Sequence, residues 1–387
     1  MKRVLVLGGG VAGVEACIFL KKDGFDVTLV SNRDYLYIYP ISIWIPTRKI
    51  QPEDVKISLK ELSQIHKFEL ILDEVKQIEA KSKKVVLNTK ELTYDYLVVA
   101  MGAGKTKPKG DENFLSICSA PEEAIGIRTQ IDELLKKKKG KIAIGFGGNP
   151  KDTTAVRGGP AFEVMFNIHN LLKERGIRQN FELTFFAPMP KPGAKMGEKA
   201  LKMMDVFFKK LDIKKQFGKK IKEFKPTSVV FEDDSILEAD FIMFISANAG
   251  HPMMKNSDLP LTEAGFVKIN DNCQVEGFRD VFAIGDVAFI KGPEWRAKQG
   301  HIAEVMARNT AYNIKSIETN RDKFKGYLEH LNILCVMDSG DGAAFVYRDS
   351  KRGLMIPMPI FGHWLKKAWG TYYKLSKKGK IFRIPGL

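Results

Sequence analysis

Val4-Leu5-Val6-Leu7-Gly8-Gly9-Gly10-Val11-Ala12-Gly13 is an apolar strand running straight into a glycine turn, and the residues after it decide the fold. A helical stretch over 14–22 follows, Gly24 stops it, and a second strand is predicted over 27–30. Gly8, Gly10 and Gly13 stand at GxGxxG spacing between a strand and a helix, which is where a dinucleotide pyrophosphate needs them. Gly8 allows the tight turn, Gly10 lets backbone approach the phosphates, and Gly13 lets helix and strand pack closely. The helix N-terminus adds amides and a favourable dipole. The second strand of such a unit often ends in an acid for the ribose hydroxyls, and here it ends in Ser31, a weaker hydrogen-bonding group.

Working outward, strands are predicted over 68–72, 84–87 and 94–102, the last ending in Met101-Gly102 and closing a first nucleotide-binding part. Lys141-Ile142-Ala143-Ile144-Gly145-Phe146-Gly147-Gly148 repeats the strand-into-glycine pattern without GxGxxG spacing, so it reads as a second fold of the same kind whose own nucleotide site is degenerate. A helix is expected near Gly159-Pro160-Ala161-Phe162-Glu163, with Pro160 suited to its first turn. Residues 280–284 form another short buried strand, ending in Gly285-Asp286, where an aspartate can hold a ribityl hydroxyl. The expected class is α/β, with two tandem Rossmann-like domains and a C-terminal amphipathic segment. The parts are 1–108 and 251–320 for the first nucleotide domain, 109–250 for the second, and 321–387 for the segment at the interface.

The chain has 387 residues, 44% hydrophobic, enough for sizeable cores. A net charge of +16 implies affinity for anionic surfaces such as phospholipid or nucleic acid. No nucleic-acid motif accompanies it, and no apolar run reaches the roughly 18 to 20 residues of a spanning helix. The nucleotide unit begins so early that no cleavable leader is expected. Cys17, Cys118, Cys273 and Cys335 are spaced as neither a zinc site nor a disulfide framework. Cys17 and Cys273 read as structural.

From Phe361 the sequence runs FGHWLKKAWGTYYKLSKKGK. At helical spacing Phe361, Trp364, Leu365, Ala368, Tyr372 and Leu375 share one side, and Lys366, Lys367, Lys374, Lys377 and Lys378 take the other. No acid occurs from Gly353 to Leu387. Such a helix suits a membrane interface, with an apolar loop at 354–359 deepening the patch; the alternative is a helix packed on the protein's own core with a solvated lysine face.

These residues resemble the flavoproteins with two dinucleotide-binding domains. Within them they resemble the sulfide:quinone oxidoreductase branch, which includes flavocytochrome c sulfide dehydrogenase. The glycine fingerprint, Tyr94 to Gly102 and Ala283-Ile284-Gly285-Asp286 carry the wider resemblance. The contexts of Ser31, Cys118, Glu163 and Cys335 carry the narrower one. The resemblance implies FAD held by Gly8, Gly10, Gly13, Ser31, Arg33, Val75, Met101, Gly102, Gly285 and Asp286, with Lys298 at the flavin pyrimidine end, where a cation stabilises the anionic reduced flavin. It implies catalytic roles for Cys335, Cys118 and Glu163, the last passing protons to a quinone. Where the family carries a further redox cysteine this chain has Arg157, which cannot form a disulfide but could attract an anionic donor and favour a nearby thiolate. The implied activity is electron transfer from sulfide or a related sulfur donor to a quinone by a monotopic protein of the cell membrane, with a homo-oligomer left open. The rivals are a type II NADH dehydrogenase-like enzyme and a flavoprotein scaffold that binds nucleic acid or a partner.

Overall fold

The computed structural model describes residues 1–321 and 323–383. Strand β1 (Arg3–Leu7) is buried beyond its first residue and enters helix α1 (Val11–Lys22). That helix begins three residues earlier than its apolar pattern predicts, so Gly13 lies inside its first turn. Strand β2 (Asp26–Ser31), helix α2 (Leu59–His66), β3 (Glu69–Leu72) and β4 (Tyr96–Val99) follow. Next come α3 (Pro121–Lys137), β5 (Gly140–Phe146), α4 (Gly159–Glu174), β6 (Phe181–Ala187), α5 (Glu198–Lys210), β7 (Ile213–Phe217) and β8 (Phe241–Ile245). Strand β9 (Val281–Ala283) and α6 (Gly300–Glu318) precede a C-terminal unit of β10 (Ile333–Asp338), β11 (Gly342–Arg348), β12 (Gly353–Pro359) and α7 (Phe361–Lys377).

Two parallel sheets organise the molecule. The first has the order β9-β4-β1-β2-β3, so the late strand β9 returns to sit beside β4. The second has the order β7-β6-β5-β8. Strands buried on both faces read as continuous apolar runs, and β1, β4, β5 and β8 do so in this chain. The C-terminal unit is an antiparallel sheet in the order β10-β11-β12. Residues 354–359, expected as a loop, are therefore a strand. Pro357 and Pro359 are tolerated because β12 is an edge strand, free of ladder duty on one side.

Helix α7 differs from both of its sequence readings in one respect. Its inward residues include Gly362, Lys366, Gly370, Tyr373, Ser376 and Lys377, whereas Phe361, Trp364, Leu365 and Ala368 face outward. Two of the lysines assigned to the polar side are thus buried. Glycines make the close fit possible: a side chain at Gly362 would meet Ala343 Cβ at 2.6 Å, and one at Gly370 would meet Ile41 Cγ2 at 3.0 Å. Among the described residues no helix is long and apolar enough to cross a membrane.

Candidate functional site

The nucleotide cradle is built by β1, the turn after it and α1. Gly8 has φ +110°, the left-handed region glycine favours. A Cβ on Gly13 would lie 1.9 Å from the Gly8 carbonyl oxygen. By contrast, a Cβ on Gly10 or Gly102 would meet nothing within 4 Å. Two glycines are therefore closed on the protein's own backbone and two face open space. Helix α1 carries no side-chain cap at Gly10, leaving its first amides to another acceptor. Gly285 lies where the first turns of α1 and α6 converge: a Cβ at that position would stand 3.0 Å from Ala12 Cβ and 3.5 Å from Ala303 Cβ. Open backbone at a helix N-terminus, with Gly285 against its first turn, fits FAD.

Ser31 is buried, and its hydroxyl donates to the Arg33 carbonyl at 2.7 Å. Its proton is committed locally, so toward a ribose it could only accept. The Arg33 guanidinium lies 5.4 Å from the Tyr35 ring centroid. Val75 is buried at the start of a strand, and Met101 is half-buried just past β4.

Arg157, Asp286, Lys298, Lys105 and Cys118 gather on one side. The Arg157 guanidinium pairs with the Asp286 carboxylate, so it is not a free surface cation. The Lys298 ammonium donates to the Asp286 carbonyl at 2.8 Å and lies 3.2 Å from the Phe266 ring centroid. Burial pulls that ammonium down to about 7, against the opposing carboxylates of Asp286 and Asp152. Lys105, which no sequence pattern singles out, donates to Asn248 Oδ1 at 2.7 Å, and burial lowers it as well. Burial pushes the Cys118 thiol up despite Lys105 and Arg157. Arg157 acts on Cys118 in the expected direction, toward the thiolate, and desolvation outweighs it.

Cys335 lies on β10, and burial lifts it to about 12, with Glu163 adding to the rise. All four cysteines are free thiols, and Cys17 and Cys273 sit in the core.

Glu163, on α4, is 4% exposed. It pairs with Lys366 of α7 and accepts from the Asp338 amide at 2.7 Å. Burial raises its carboxyl, with Lys366 opposing. Beside it, Asp338 accepts from Trp44 Nε1 (3.1 Å) and Asn167 Nδ2 (2.9 Å), and His363 Nδ1 of α7 lies 2.6 Å away. Burial alone would raise Asp338, but these hydrogen bonds overcome it and hold the carboxyl at about 2. The two neighbouring carboxyls are thus shifted in opposite directions, Asp338 held as an anion and Glu163 raised by burial. The Cys118 and Cys335 thiols both feel the Glu163 charge.

Residues 2–311 match the pyridine nucleotide-disulphide oxidoreductase family. The sulfide-quinone reductase of Aquifex aeolicus (strain VF5) is 28% identical over 96% of this chain and 90% of that protein. A type II NADH:quinone oxidoreductase of Staphylococcus epidermidis (strain ATCC 12228 / FDA PCI 1200) is 24% identical over 99% of this chain and 98% of its own length. Among solved structures, the sulfide:quinone oxidoreductase from the hyperthermophilic bacterium Aquifex aeolicus superposes with a TM-score of 0.89 at 24% identity, covering 98% of this chain and 92% of that one.

Proposed function

The chain belongs to the pyridine nucleotide-disulphide oxidoreductase family, and from that premise we propose that it carries electrons from sulfide, or a related small sulfur donor, to quinone at a membrane surface. It is an FAD oxidoreductase of the flavin-dependent quinone-reducing kind. The donor, the membrane and the roles of individual residues are the proposal. When bound, FAD accepts the donor's two electrons and delivers them to the quinone.

One observation carries the reading: α7 turns Phe361, Trp364 and Leu365 outward and Lys366 and Lys377 inward. Phe361 is 66% exposed, Trp364 62% and Ile360 70%, and Ile356 of β12 is exposed as well. The same helix places Lys366 on Glu163. A single element would thus offer an apolar patch to lipid and complete an acid–base pair for a lipid-soluble acceptor. A helix packed on the core by its whole apolar face would bury Phe361 and Trp364, and their exposure favours the membrane reading.

On the donor side, hydrosulfide oxidised to zero-valent sulfur yields two electrons and one proton, and quinone reduction consumes two of each. Arg157, Lys105 and Lys298 would draw in the anion, Cys118 and Cys335 would be the thiols nearest its sulfur, and Glu163 would supply a proton to the quinone. The residues FAD would need are Gly8, Gly10, Gly13, Gly102 and Gly285 for close approach and Asp286 for hydroxyls, with Lys298 for charge. NADH is disfavoured as donor because the glycines after β5 lack GxGxxG spacing; Gly159, at the start of α4, is open, whereas Gly147, Gly148 and Gly158 close on the protein's own side chains. Cβ atoms there would meet Phe244 Cζ at 3.1 Å from Gly147, Met189 Cε at 3.3 Å from Gly148 and the Phe146 ring at 2.5 Å from Gly158.

The double variant Phe361→Ser/Trp364→Ser tests the membrane half. Losing two large exposed apolar side chains removes about 2 to 3 kcal/mol of transfer free energy, so vesicle partitioning of the FAD-loaded protein should fall on the order of 50-fold. Flotation with phosphatidylglycerol/phosphatidylcholine vesicles reads it, and unchanged flotation would remove the membrane surface from the account.

A further inference from the structure

Helices α1 and α6 approach the cofactor side by side. Their first turns meet at Gly285, through Ala12 and Ala303. One turn deeper on α1 stands Glu15, and next to Ala303 stands Glu304; both carboxylates are buried, 0% and 2% exposed. Two facing buried acids repel each other unless cations are inserted between them. Both cations come from the far end of the chain. Lys377, at the last residue of α7 and 0% exposed, lies 2.7 Å from Glu15 Oε2 and 2.7 Å from Glu304 Oε1. Arg383 pairs with the same two acids, its Nη2 2.9 Å from Glu304 Oε1. Around this quartet the segment is fastened to the first domain again: His66 Nε2 lies 2.6 Å from the Lys377 carbonyl oxygen, and Lys378 pairs with Glu61 at 2.8 Å.

We propose that the C-terminal segment is a working part of the nucleotide site: Lys377 and Arg383 are positioning residues that hold α1 and α6 at the spacing FAD requires. This rests on the chain binding FAD and goes beyond it. The charges balance, two acids against two cations, and they lie directly beneath the turns that meet at Gly285. Removing one partner of a buried ion cluster leaves an uncompensated charge, whereas removing all of them can be neutral. Without Lys377 the acids would share a single cation, and α1 would move away from α6 just under the cofactor. The tail is then no detachable anchor, and cutting the chain at Gly353 would disable the flavin site together with the membrane patch.

The test is the rate of FAD release from the purified holoprotein, followed by flavin fluorescence after dilution, with apoprotein folding checked by far-UV circular dichroism. Lys377→Met should release FAD at least 10-fold faster than wild type. Arg383→Gln, at the edge of the quartet, should show a smaller rise in the same direction. The variant Glu15→Gln/Lys377→Met removes one acid along with the lysine, leaves Glu304 paired with Arg383, and should recover most of the retention, which a loss of packing alone would not allow. Should Lys377→Met fail to fold, Arg383→Gln and the double variant decide. Wild-type release from a folded Lys377→Met or from Arg383→Gln, or a double variant as leaky as Lys377→Met, overturns the proposal. A wild-type protein that binds no FAD would instead overturn the cofactor assignment.

Discussion

Replacing Glu163 with glutamine should slow re-oxidation of the reduced protein by a short-chain quinone about 100-fold, while reduction by the donor changes far less. The magnitude is that of a positioned general acid, roughly 100- to 10,000-fold. The selectivity follows from geometry, since the Glu163 carboxyl is held against Lys366 on the helix bearing the exposed aromatics. The pH dependence has a definite sign. Burial raises the Glu163 carboxyl, so its proton persists above the ordinary carboxylate range and is lost as pH rises through the raised value. The wild-type rate should therefore fall along an alkaline limb that Glu163→Gln lacks. Because glutamine leaves the buried Lys366 ammonium without its counter-charge, the single variant will also be less stable. Glu163→Gln/Lys366→Met relieves that strain and should stay slow. Stopped-flow traces across pH 5 to 9 read all three, and a Glu163→Gln protein with wild-type speed and profile would show that the proton enters elsewhere.

Gly13→Ala should yield colourless protein, with FAD affinity lowered at least about 100-fold. The added methyl would sit 1.9 Å from the Gly8 carbonyl oxygen and 3.4 Å from Ala100 Cβ. No rotamer relieves a Cβ, so α1 must shift away from β1, taking the cradle apart. Gly10→Ala separates fold from site. Its methyl meets nothing within 4 Å, so thermal stability should hold while FAD binding weakens, because the space it enters is the one the phosphates would use. Isothermal titration of apoprotein with FAD reads both variants. Normal FAD binding by Gly10→Ala would mean that the cofactor does not approach this turn.

The parts of this protein that the sequence discloses are those whose physics is local. Glycine spacing between a strand and a helix is fixed by backbone sterics within ten residues, so the cradle is readable from Val4 to Gly13. That Phe361, Trp364, Leu365 and Ala368 share one side follows from helical periodicity; that they face outward, and that Tyr372 and Leu375 of the same row are half-buried, does not. What the sequence conceals depends on partners far along the chain. Lys366 and Lys377 look like solvated charges until Glu163, Glu15 and Glu304 are brought to them across 203, 362 and 73 residues. Arg157 looks unattached until Asp286 meets it from 129 residues away. The state of the Cys118 thiol eludes a sequence reading because neither Lys105 nor the burial that outweighs both it and Arg157 is visible there. Strand β12 reads as a loop because its prolines argue against a strand, a rule that edge strands escape.

The most direct measurement is an anaerobic titration of the FAD-loaded protein with sulfide and with NADH in parallel, following the oxidised flavin absorbance band and then adding a short-chain quinone. Sulfide should bleach the band, quinone should restore it, and NADH at the same concentration should leave it nearly unchanged. A flavin that stays oxidised with sulfide but bleaches rapidly with NADH would contradict the assignment of the donor.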